Sequence, residues 1–561
     1  MPQAEIPAAG RGAAAASQTS DRASSASERL NTRAATVVGL AVLCSRVLGV
    51  AREQIFAALF GGGLVMDAFT MAFRIPNLLR DLFAEGALST AFVTTFSKTS
   101  AIEGDRAAWG LADKVATMAV IVLSGIVIVG IVCAPWIVAV LAPGFDPAKA
   151  ALTVKLVRVM YPFILLVSLA ALVMGMLNAK NVFGVPAMAS SYFNLGSIIA
   201  GVALGWYWDP HFGPRATIGL AIGTLVGGAM QLGVQLPALR RLGYRYRPDF
   251  HWRDPGVKMI LRLMGPSVIA ASTTQVNVLV NSLFASKLGN GPIFWLAIGF
   301  RLMQLPLGIF GVALGTVALP MLARMAAAGN TQAFRSELAR GMRLAFLLCI
   351  PASIGLILLA EPIVSVLYQH GRFTAHETLE AAAALRFYAL GLCGYAALKV
   401  LVNAFYAIDH RKTPMVVSCF AVLLNLLLNW VFTFRLGWGH RGLAFSTACI
   451  ATSNFLVLYF LMHRRLGRLE SRAMATLLWR LAAASAVLAM ICWAGSHYLL
   501  ADWAVERFWP KLASLTLVIA VAAGAFFVCA TVLGIREMRE ISEALRRRLR
   551  RASADRAHTR F

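Results

Sequence analysis

The sequence predicts an all-α, polytopic membrane protein with fourteen transmembrane helices. Hydrophobic residues fill 59% of the 561 positions and charged residues only 14%, whereas ordinary globular chains carry about 25% charged residues. Apolar stretches that could cross a hydrocarbon core of about 30 Å as helices recur from residue 33 to residue 534. A soluble enzyme is excluded, because so few charges could not cover a soluble protein of this size.

The order of spans and basic loops predicts the topology. Basic residues concentrate in alternate loops, as the positive-inside rule requires, and an even number of spans places both termini in the cytoplasm. The predicted spans are 34–60, 64–97, 114–142, 152–178, 185–207, 216–239, 257–288, 292–325, 338–360, 379–407, 413–434, 442–463, 474–500 and 511–534. The basic residues between spans six and seven are Arg240, Arg241, Arg245, Arg247, Arg253 and Lys258.

An internal repeat predicts two related lobes. Phe73-Arg74 matches Phe300-Arg301 at an offset of about 227 residues, and Tyr161 matches Tyr388 at the same offset. Six spans per repeat give two parallel lobes, related by an axis along the membrane normal. The predicted segments are a disordered cytoplasmic arm (1–32), an N-terminal lobe (33–239), a basic cytoplasmic loop (240–256), a C-terminal lobe (257–466), two additional helices (467–534) and a basic cytoplasmic tail (535–561).

The composition also limits the possible partners and cofactors. The net charge of +26 follows the membrane topology and does not indicate nucleic-acid binding, and the basic surface is expected to attract anionic lipids. The eight cysteines are isolated within apolar segments and no CxxC pair occurs, so we expect neither zinc nor a disulfide framework. No phosphate-binding GxxxxGK[ST] motif occurs. We expect no cofactor, and a driving force from the membrane potential or an ion gradient.

Charged residues inside the predicted spans are the main candidates for a binding site. Each costs at least about 2.5–3.5 kcal/mol at mid-membrane, so their clustering favours a functional role. They are Arg46, Arg52 and Glu53 in the first span, Asp67, Arg74, Arg80, Asp81 and Glu85 in the second, and Arg301 in the eighth. Arginines six positions apart lie within about 120° on a helix and could line one cavity for an anion such as phosphate. The alternative is pairing with neighbouring acids or snorkelling to the interface.

Other polar residues in the spans have two open interpretations. Lys399 in span ten could be a second cationic wall or an ion-pair partner. Asn277 and Asn281 in span seven, with Asn425 and Asn429 in span eleven, could hydrogen-bond between helices or contribute to an ion site.

The stretch 45–93, SRVLGVAREQIFAALFGGGLVMDAFTMAFRIPNLLRDLFAEGALSTAFV, resembles the signature region of the MurJ (MviN) family. These are the bacterial lipid II flippases of the multidrug/oligosaccharidyl-lipid/polysaccharide exporter superfamily. The similarity continues through 161–179, 301–320 and 361–374 and covers about 33–535. It implies two lobes around a central cationic cavity, and transport of undecaprenyl-pyrophosphate-disaccharide-pentapeptide from the cytoplasmic to the periplasmic leaflet of the bacterial inner membrane.

The resemblance also implies roles for individual positions. Cavity arginines of the family match Arg46, Arg52, Arg80 and Arg301, and carboxylates of its motifs match Glu53, Asp67 and Glu85. The two helices beyond the repeat imply a groove for the lipid tail. This chain has Phe300 and Gln304 where some relatives carry acids beside the eighth-span arginine, which puts a charge relay through those acids in doubt.

Two other function classes remain open from the sequence. A drug/cation antiporter of the same superfamily would have acids facing the cavity without an excess of arginine. A membrane-embedded, lipid-linked glycosyltransferase would need a catalytic carboxylate in an extracytoplasmic loop, for which Asp146, Asp209 and Glu377 are the candidates. For the flippase we expect lipid II and anionic lipids as partners, leave cell-wall synthesis proteins open as further partners, and expect a functional monomer in peptidoglycan synthesis.

Overall fold

The computed structural model describes residues 38–80, 88–467, 470–504 and 507–539, and every regular element in these ranges is helical. The predicted N-terminal arm and most of the C-terminal tail lie outside the described residues. Helical backbone covers 38–60, here called α1. The others are α2 Leu64–Arg80, α3 Ser89–Ile102, α4 Asp105–Leu141, α5 Pro147–Met160, α6 Phe163–Ala179, α7 Gly184–Trp208, α8 Ala216–Gly233, α9 Leu236–Arg241, α10 Pro255–Ser286, α11 Pro292–Ala327, α12 Thr331–Leu358, α13 Ala360–Tyr368, α14 Ala375–Leu390, α15 Leu392–Ala407, α16 Lys412–Trp430, α17 Gly439–Leu466, α18 Ser471–Ala494 and α19 Phe508–Val532.

Many of these helices have the length and hydropathy of membrane spans. Within the described residues nine helical stretches qualify, two of which join α5 with α6 and α8 with α9, and a tenth does if the bent pair α14 and α15 forms one span. The all-α, multi-pass class is therefore confirmed, while the count of fourteen spans stays a prediction. Apolar side chains such as Phe420, Trp479 and Val532 are largely exposed, as expected of helices that face lipid chains instead of water.

One predicted span is strongly bent. The stretch 379–407 is two helices that meet at Gly391 with a bend of 42°. A side chain at Gly391 would lie 2.7 Å from the Cα atom of Ala448 on α17. The close approach of α17 therefore requires glycine at this position, and the change of helix direction coincides with it.

Contacts divide the chain into two compact units. Of the described residues, the first contains 38–55, 76–80, 88–132 and 157–268. Its core includes Phe92, Phe96 and Leu177, which are fully buried. Helices α7 and α8 pack so closely that a Cβ atom on Gly223 would lie 2.4 Å from the Cα atom of Gly201. Small residues thus let two backbones touch, as in other membrane helix pairs.

Of the described residues, the second unit contains 56–75, 133–156, 269–467, 470–504 and 507–539. One of its cores packs α18 and α19 against α12 through residues such as Leu481 and Val518. Another joins α12, α15 and α17 through Met342, Leu401 and Leu458. The unit thus includes two short segments from the first half of the sequence. The lobes predicted from the repeat, 33–239 and 257–466, stay a prediction.

Candidate functional site

The first group of predicted site residues lies on α1 in the first unit. Arg46 is exposed, whereas Arg52 is 9% exposed and its guanidinium carbon lies 5.1 Å from the centre of the Phe193 ring on α7. The Asn194 amide of α7 donates to the Ser45 carbonyl at 3.1 Å and fixes the two helices against each other. Packing against an aromatic face orients a guanidinium group.

Three other predicted residues were expected near these arginines. Glu53 on α1 and Arg80 at the end of α2 are half-buried in the first unit. Glu85, like Asp81, lies outside the described residues.

Asp67, in the second unit, is completely buried and holds the start of α11. One carboxylate oxygen accepts hydrogen bonds from Lys149 Nζ at 2.8 Å and from the Gly291 N–H at 2.7 Å. The other accepts from the Phe294 N–H at 2.9 Å. Backbone N–H groups in the first helical turn have no partner within the helix and favour a negative charge. In this conformation the Asp67 side chain has no exposed surface that could contact a ligand, so its role is to hold the start of α11 in position.

Sequence reasoning missed Lys149, because it lies between the predicted spans 114–142 and 152–178 and not within a span. Its side chain is 1% exposed and also donates to the Gly289 carbonyl at 3.0 Å and to Asn290 Oδ1 at 3.2 Å. All three ammonium hydrogens can therefore be bonded. A buried ion pair is stable when its remaining donors and acceptors are satisfied in this way.

A second set of contacts holds the end of α1. Glu377 Oε1 accepts from the Gly62 N–H at 2.7 Å, and Glu377 also forms the capping box of α14 with Thr374. The Arg372 N–H donates to the Ala58 carbonyl at 2.8 Å. Together with the Asp67–Lys149 pair, these bonds attach 58–67 to 289–294 and 370–377. We call this arrangement, which lies entirely in the second unit, the clasp.

A cavity of about 380 Å³ also lies within the second unit. Two cations line it, Arg74 from α2 and Lys399 from α15, and Arg74 donates to Ser282 Oγ of α10. Among its described lining residues there is no carboxylate. The remaining polar lining residues are Asn277, Asn281, Gln304, Tyr388, Tyr395, Ser418, Thr447 and Asn454. These donors and cations suit an anion that also offers hydrogen-bond acceptors.

Arg301 and its neighbours occupy different surroundings. Phe300 and Gln304 line the cavity, and the Phe300 ring packs against Tyr388 with centroids 5.4 Å apart. Arg301 is half-buried on α11 and is not among the lining residues. The two positions where some relatives carry acids thus contribute an aromatic ring and a neutral amide to the cavity wall. Sequence reasoning also missed Tyr388 and Tyr395 as lining residues, because tyrosines within apolar segments look like ordinary core residues in a sequence.

Three of the four predicted asparagines, Asn281, Asn425 and Asn429, form a hydrogen-bonded network between three helices. Asn281 of α10 donates to Thr447 Oγ1 of α17 at 3.0 Å. Asn429 of α16 donates to Asn281 Oδ1 at 2.8 Å and to Asn425 Oδ1 at 3.0 Å, and it accepts from Ser446. Of the two interpretations, this geometry fits bonding between helices. In the described part of the chain, no group of three or more His, Cys, Asp or Glu side chains could hold a metal ion.

The three candidate catalytic carboxylates all accept hydrogen bonds from backbone N–H groups. Asp146 accepts from the Lys149 N–H at the start of α5 at 2.9 Å. Asp209 accepts from the N–H groups of His211 and Gly213 in the turn after α7. Glu377 caps α14 and binds Gly62. Each is thus a turn or cap residue of a kind common in proteins.

Comparison with known proteins identifies the family. The profile of the family described as "Lipid II flippase MurJ" matches residues 56–514. The chain belongs to the MurJ family. A lipid II flippase MurJ of Burkholderia cenocepacia is 34% identical over 510 residues, which cover 89% of this chain and 97% of the relative. A probable lipid II flippase MurJ of Buchnera aphidicola is 32% identical over 503 residues, 89% of this chain and 96% of the relative.

Solved structures agree with this assignment. A lipid II flippase MurJ in an inward closed conformation matches with a TM-score of 0.72 and 25% identity, over 89% of this chain and 99% of that one. An inward-facing multidrug resistance MATE family transporter of the MOP superfamily matches with a TM-score of 0.63 over 76% of this chain and 96% of that one, but at 15% identity it shows the fold alone. As a MurJ family member, the chain is a multi-pass transporter of the bacterial inner membrane and not an enzyme.

Proposed function

We propose that this chain moves lipid II from the cytoplasmic to the periplasmic leaflet by alternating access. The observation that carries the proposal is the family match over 56–514, and the cationic cavity supports it. The lipid II head group carries a pyrophosphate and peptide carboxylates, which are too polar to cross hydrocarbon unaided. Fixed arginine, lysine and amide groups replace the hydration of these anions. No covalent bond changes during transport.

The cationic side chains have distinct proposed roles. Arg46, Arg52, Arg80 and Arg301 bind the pyrophosphate, as the family motifs imply. Arg74 and Lys399 bind a further anionic group of the same head group, and the acid-free lining of their cavity supports this. Asp67 keeps the clasp closed instead of contacting substrate, while Glu53 and Glu85 balance the neighbouring arginines.

The proposed topology has fourteen helices with both termini in the cytoplasm. In this topology α1 begins at the cytoplasmic face, so its end at residue 60 and the clasp lie at the periplasmic face. The bonded clasp then corresponds to a conformation closed toward the periplasm. Release of the head group requires the clasp to open, which separates 58–67 from 289–294 and 370–377. Rocking of two parallel lobes is the usual means of such a change.

The lipid tail and the energy source complete the proposal. The undecaprenyl chain stays in the bilayer along α18 and α19, whose exposed residues include Trp479, Met490 and Val528. The membrane potential or an ion gradient drives the cycle; the potential would act on each charge that moves with about 2.3 kcal/mol per 100 mV.

The direct test replaces the chromosomal flippase by variants of this chain and measures access of a periplasmic reagent to lipid II. We expect Arg52→Ala, Arg80→Ala and Arg301→Ala to abolish rescue at normal membrane levels. Arg464→Ala, an exposed arginine at the end of α17, is the matched control and is expected to rescue. Unchanged access to lipid II after depletion of the chain would rule out the flippase function, and full rescue by all three variants would rule out these arginines as the site.

A further inference from the structure

The loop 242–254, between α9 and α10, is fixed to the start of α4 in the first unit. Asp113 accepts from the Tyr244 hydroxyl at 2.7 Å and from the Arg247 N–H at 3.1 Å. Thr117 Oγ1 is bonded to the Tyr246 hydroxyl at 2.9 Å and accepts from the Asp249 N–H at 3.1 Å. Burial and the neighbouring Asp113 raise the pKa of Tyr244, so its hydroxyl remains a donor. A loop with this many side-chain bonds has a defined shape.

The acidic side chains of the loop have bonded partners, whereas its basic side chains are exposed. Lys114 on α4 binds Asp254 at 2.6 Å, and His251 binds Asp249 at 2.6 Å, so both carboxylates of the loop have cationic or hydrogen-bonded neighbours. Partial burial alone would raise the pKa of Asp254, but its bonds to Lys114 and the Gly256 N–H lower it. The basic side chains instead all point outward. They are Arg240, Arg241, Arg245, Arg247, Arg253 and Lys258, and each is exposed.

Large aromatic side chains are exposed among these basic residues. Tyr246 is 48% exposed, Phe250 68% and Trp252 66%. Aromatic rings in soluble proteins are seldom left so exposed together, whereas rings beside Lys and Arg are typical of membrane interfaces. The packing of the loop against α4 does not cover them.

The position of the loop along α4 sets its depth. Thr117 lies four residues before Ile121 and next to the exposed apolar run of α4 that continues with Val122 and Ile128. Four residues of helix rise about 6 Å. The loop is therefore bonded to α4 about one turn from the side chains that face the hydrocarbon. This is the level of the lipid head groups.

We propose that the loop 242–254 and its flanking arginines form a binding surface for anionic phospholipid head groups. Arg245, Arg247 and Arg253 contact the phosphates, and Phe250 and Trp252 enter the interface between head groups and acyl chains. Lys114 offsets the charge of Asp254, and the three exposed arginines outnumber the remaining carboxylate of the loop, Asp249. The surface is distinct from the transport cavity and does not depend on the proposed function.

The test measures binding of phosphatidylglycerol and phosphatidylethanolamine to the purified full chain by native mass spectrometry. The loop variant combines Arg245→Gln, Arg247→Gln and Arg253→Gln. The control combines Arg464→Gln, Arg465→Gln and Arg472→Gln, which removes the same charge from another set of exposed arginines. We expect a loss of about fivefold in phosphatidylglycerol affinity for each loop arginine removed, little change with phosphatidylethanolamine, and a much smaller loss in the control.

A second measurement locates the loop in the bilayer. Tryptophan emission of the chain in nanodiscs is compared with that of Trp252→Phe, using lipids brominated at shallow or deep acyl positions. We expect the difference signal to be quenched more by shallow bromines. Equal loss of phosphatidylglycerol binding in the loop variant and the control, or no loss in either, would overturn the proposal, as would a Trp252 signal that neither lipid quenches. The conservative Trp252→Phe change decides the question even if the triple variant does not fold.

Discussion

The clasp gives a quantitative prediction through Asp67. Replacing it by Asn keeps the size of the side chain but leaves Lys149 charged and 1% exposed. Removing one partner of a buried ion pair costs about 3–5 kcal/mol. The lower end applies here, because Lys149 keeps its bonds to Gly289 and Asn290. A loss of about 3 kcal/mol raises the open fraction of the clasp about 100-fold, since each 1.4 kcal/mol is a factor of ten.

Hydrogen–deuterium exchange reports this opening, because the N–H groups of Gly291 and Phe294 are bonded to Asp67. We expect exchange in a peptide covering 288–296 to accelerate about 100-fold in Asp67→Asn, in line with the free-energy loss above. Adding Lys149→Met should recover part of the loss, because no unpaired charge then remains buried. Asp209→Asn, which removes a turn carboxylate in the first unit, is the control. Unchanged exchange in Asp67→Asn, or a double variant no better than the single one, would refute the reasoning.

Three further predictions concern packing, hydrogen bonding and pH. Gly223→Val should lower the thermal unfolding midpoint strongly, because its Cβ would overlap the backbone of α7 and overpacking costs about 1–3 kcal/mol or more. Gly125→Val is the control and should leave the midpoint nearly unchanged, because there is open space around Gly125. Asn429→Leu should destabilise the chain by about 0.6–1.7 kcal/mol, measured in the same way, because two amides lose their partner. The pKa of Asp254 is lowered in the folded chain. The pairing of its carboxylate therefore stabilises the loop fully above the unfolded pKa of about 3.9, and this stabilisation is lost as the pH falls through the lower folded pKa. Cleavage of the loop by pepsin should therefore increase in the wild type as the pH falls through this range, and the loop of Lys114→Met should be cleaved readily by trypsin at neutral pH.

The sequence predicted the helices well where hydropathy alone decides. The predicted span 185–207 corresponds to Gly184–Trp208, and 292–325 to Pro292–Ala327. The sequence did not predict the bend at Gly391, where α17 approaches the backbone too closely for a side chain. That contact joins residues far apart in the chain, so no local pattern could reveal it. The start of α4 at Asp105 was also missed, because its first turns are polar and extend beyond the apolar run.

The site was predictable in its chemistry but not in its arrangement. Intramembrane arginines stand out because each is costly, and Arg74 indeed lines a cavity with Lys399. Whether a charged side chain lines a cavity or bonds to the end of a helix depends on tertiary packing. Asp67 and Lys149 are 82 residues apart, and nothing in the sequence around either one signals the other. The asparagines posed the same problem, since an amide serves equally well as a ligand or as a link between helices.

The glycine contacts between α7 and α8 have a mechanical consequence. Where backbones touch directly, as at Gly201 and Gly223, there are no side chains between the helices whose rotamers could change to let them slide. Helices α7 and α8 should therefore move together as one rigid body on the timescale of transport. Any change in the shape of the first unit must therefore be taken up by its other helices.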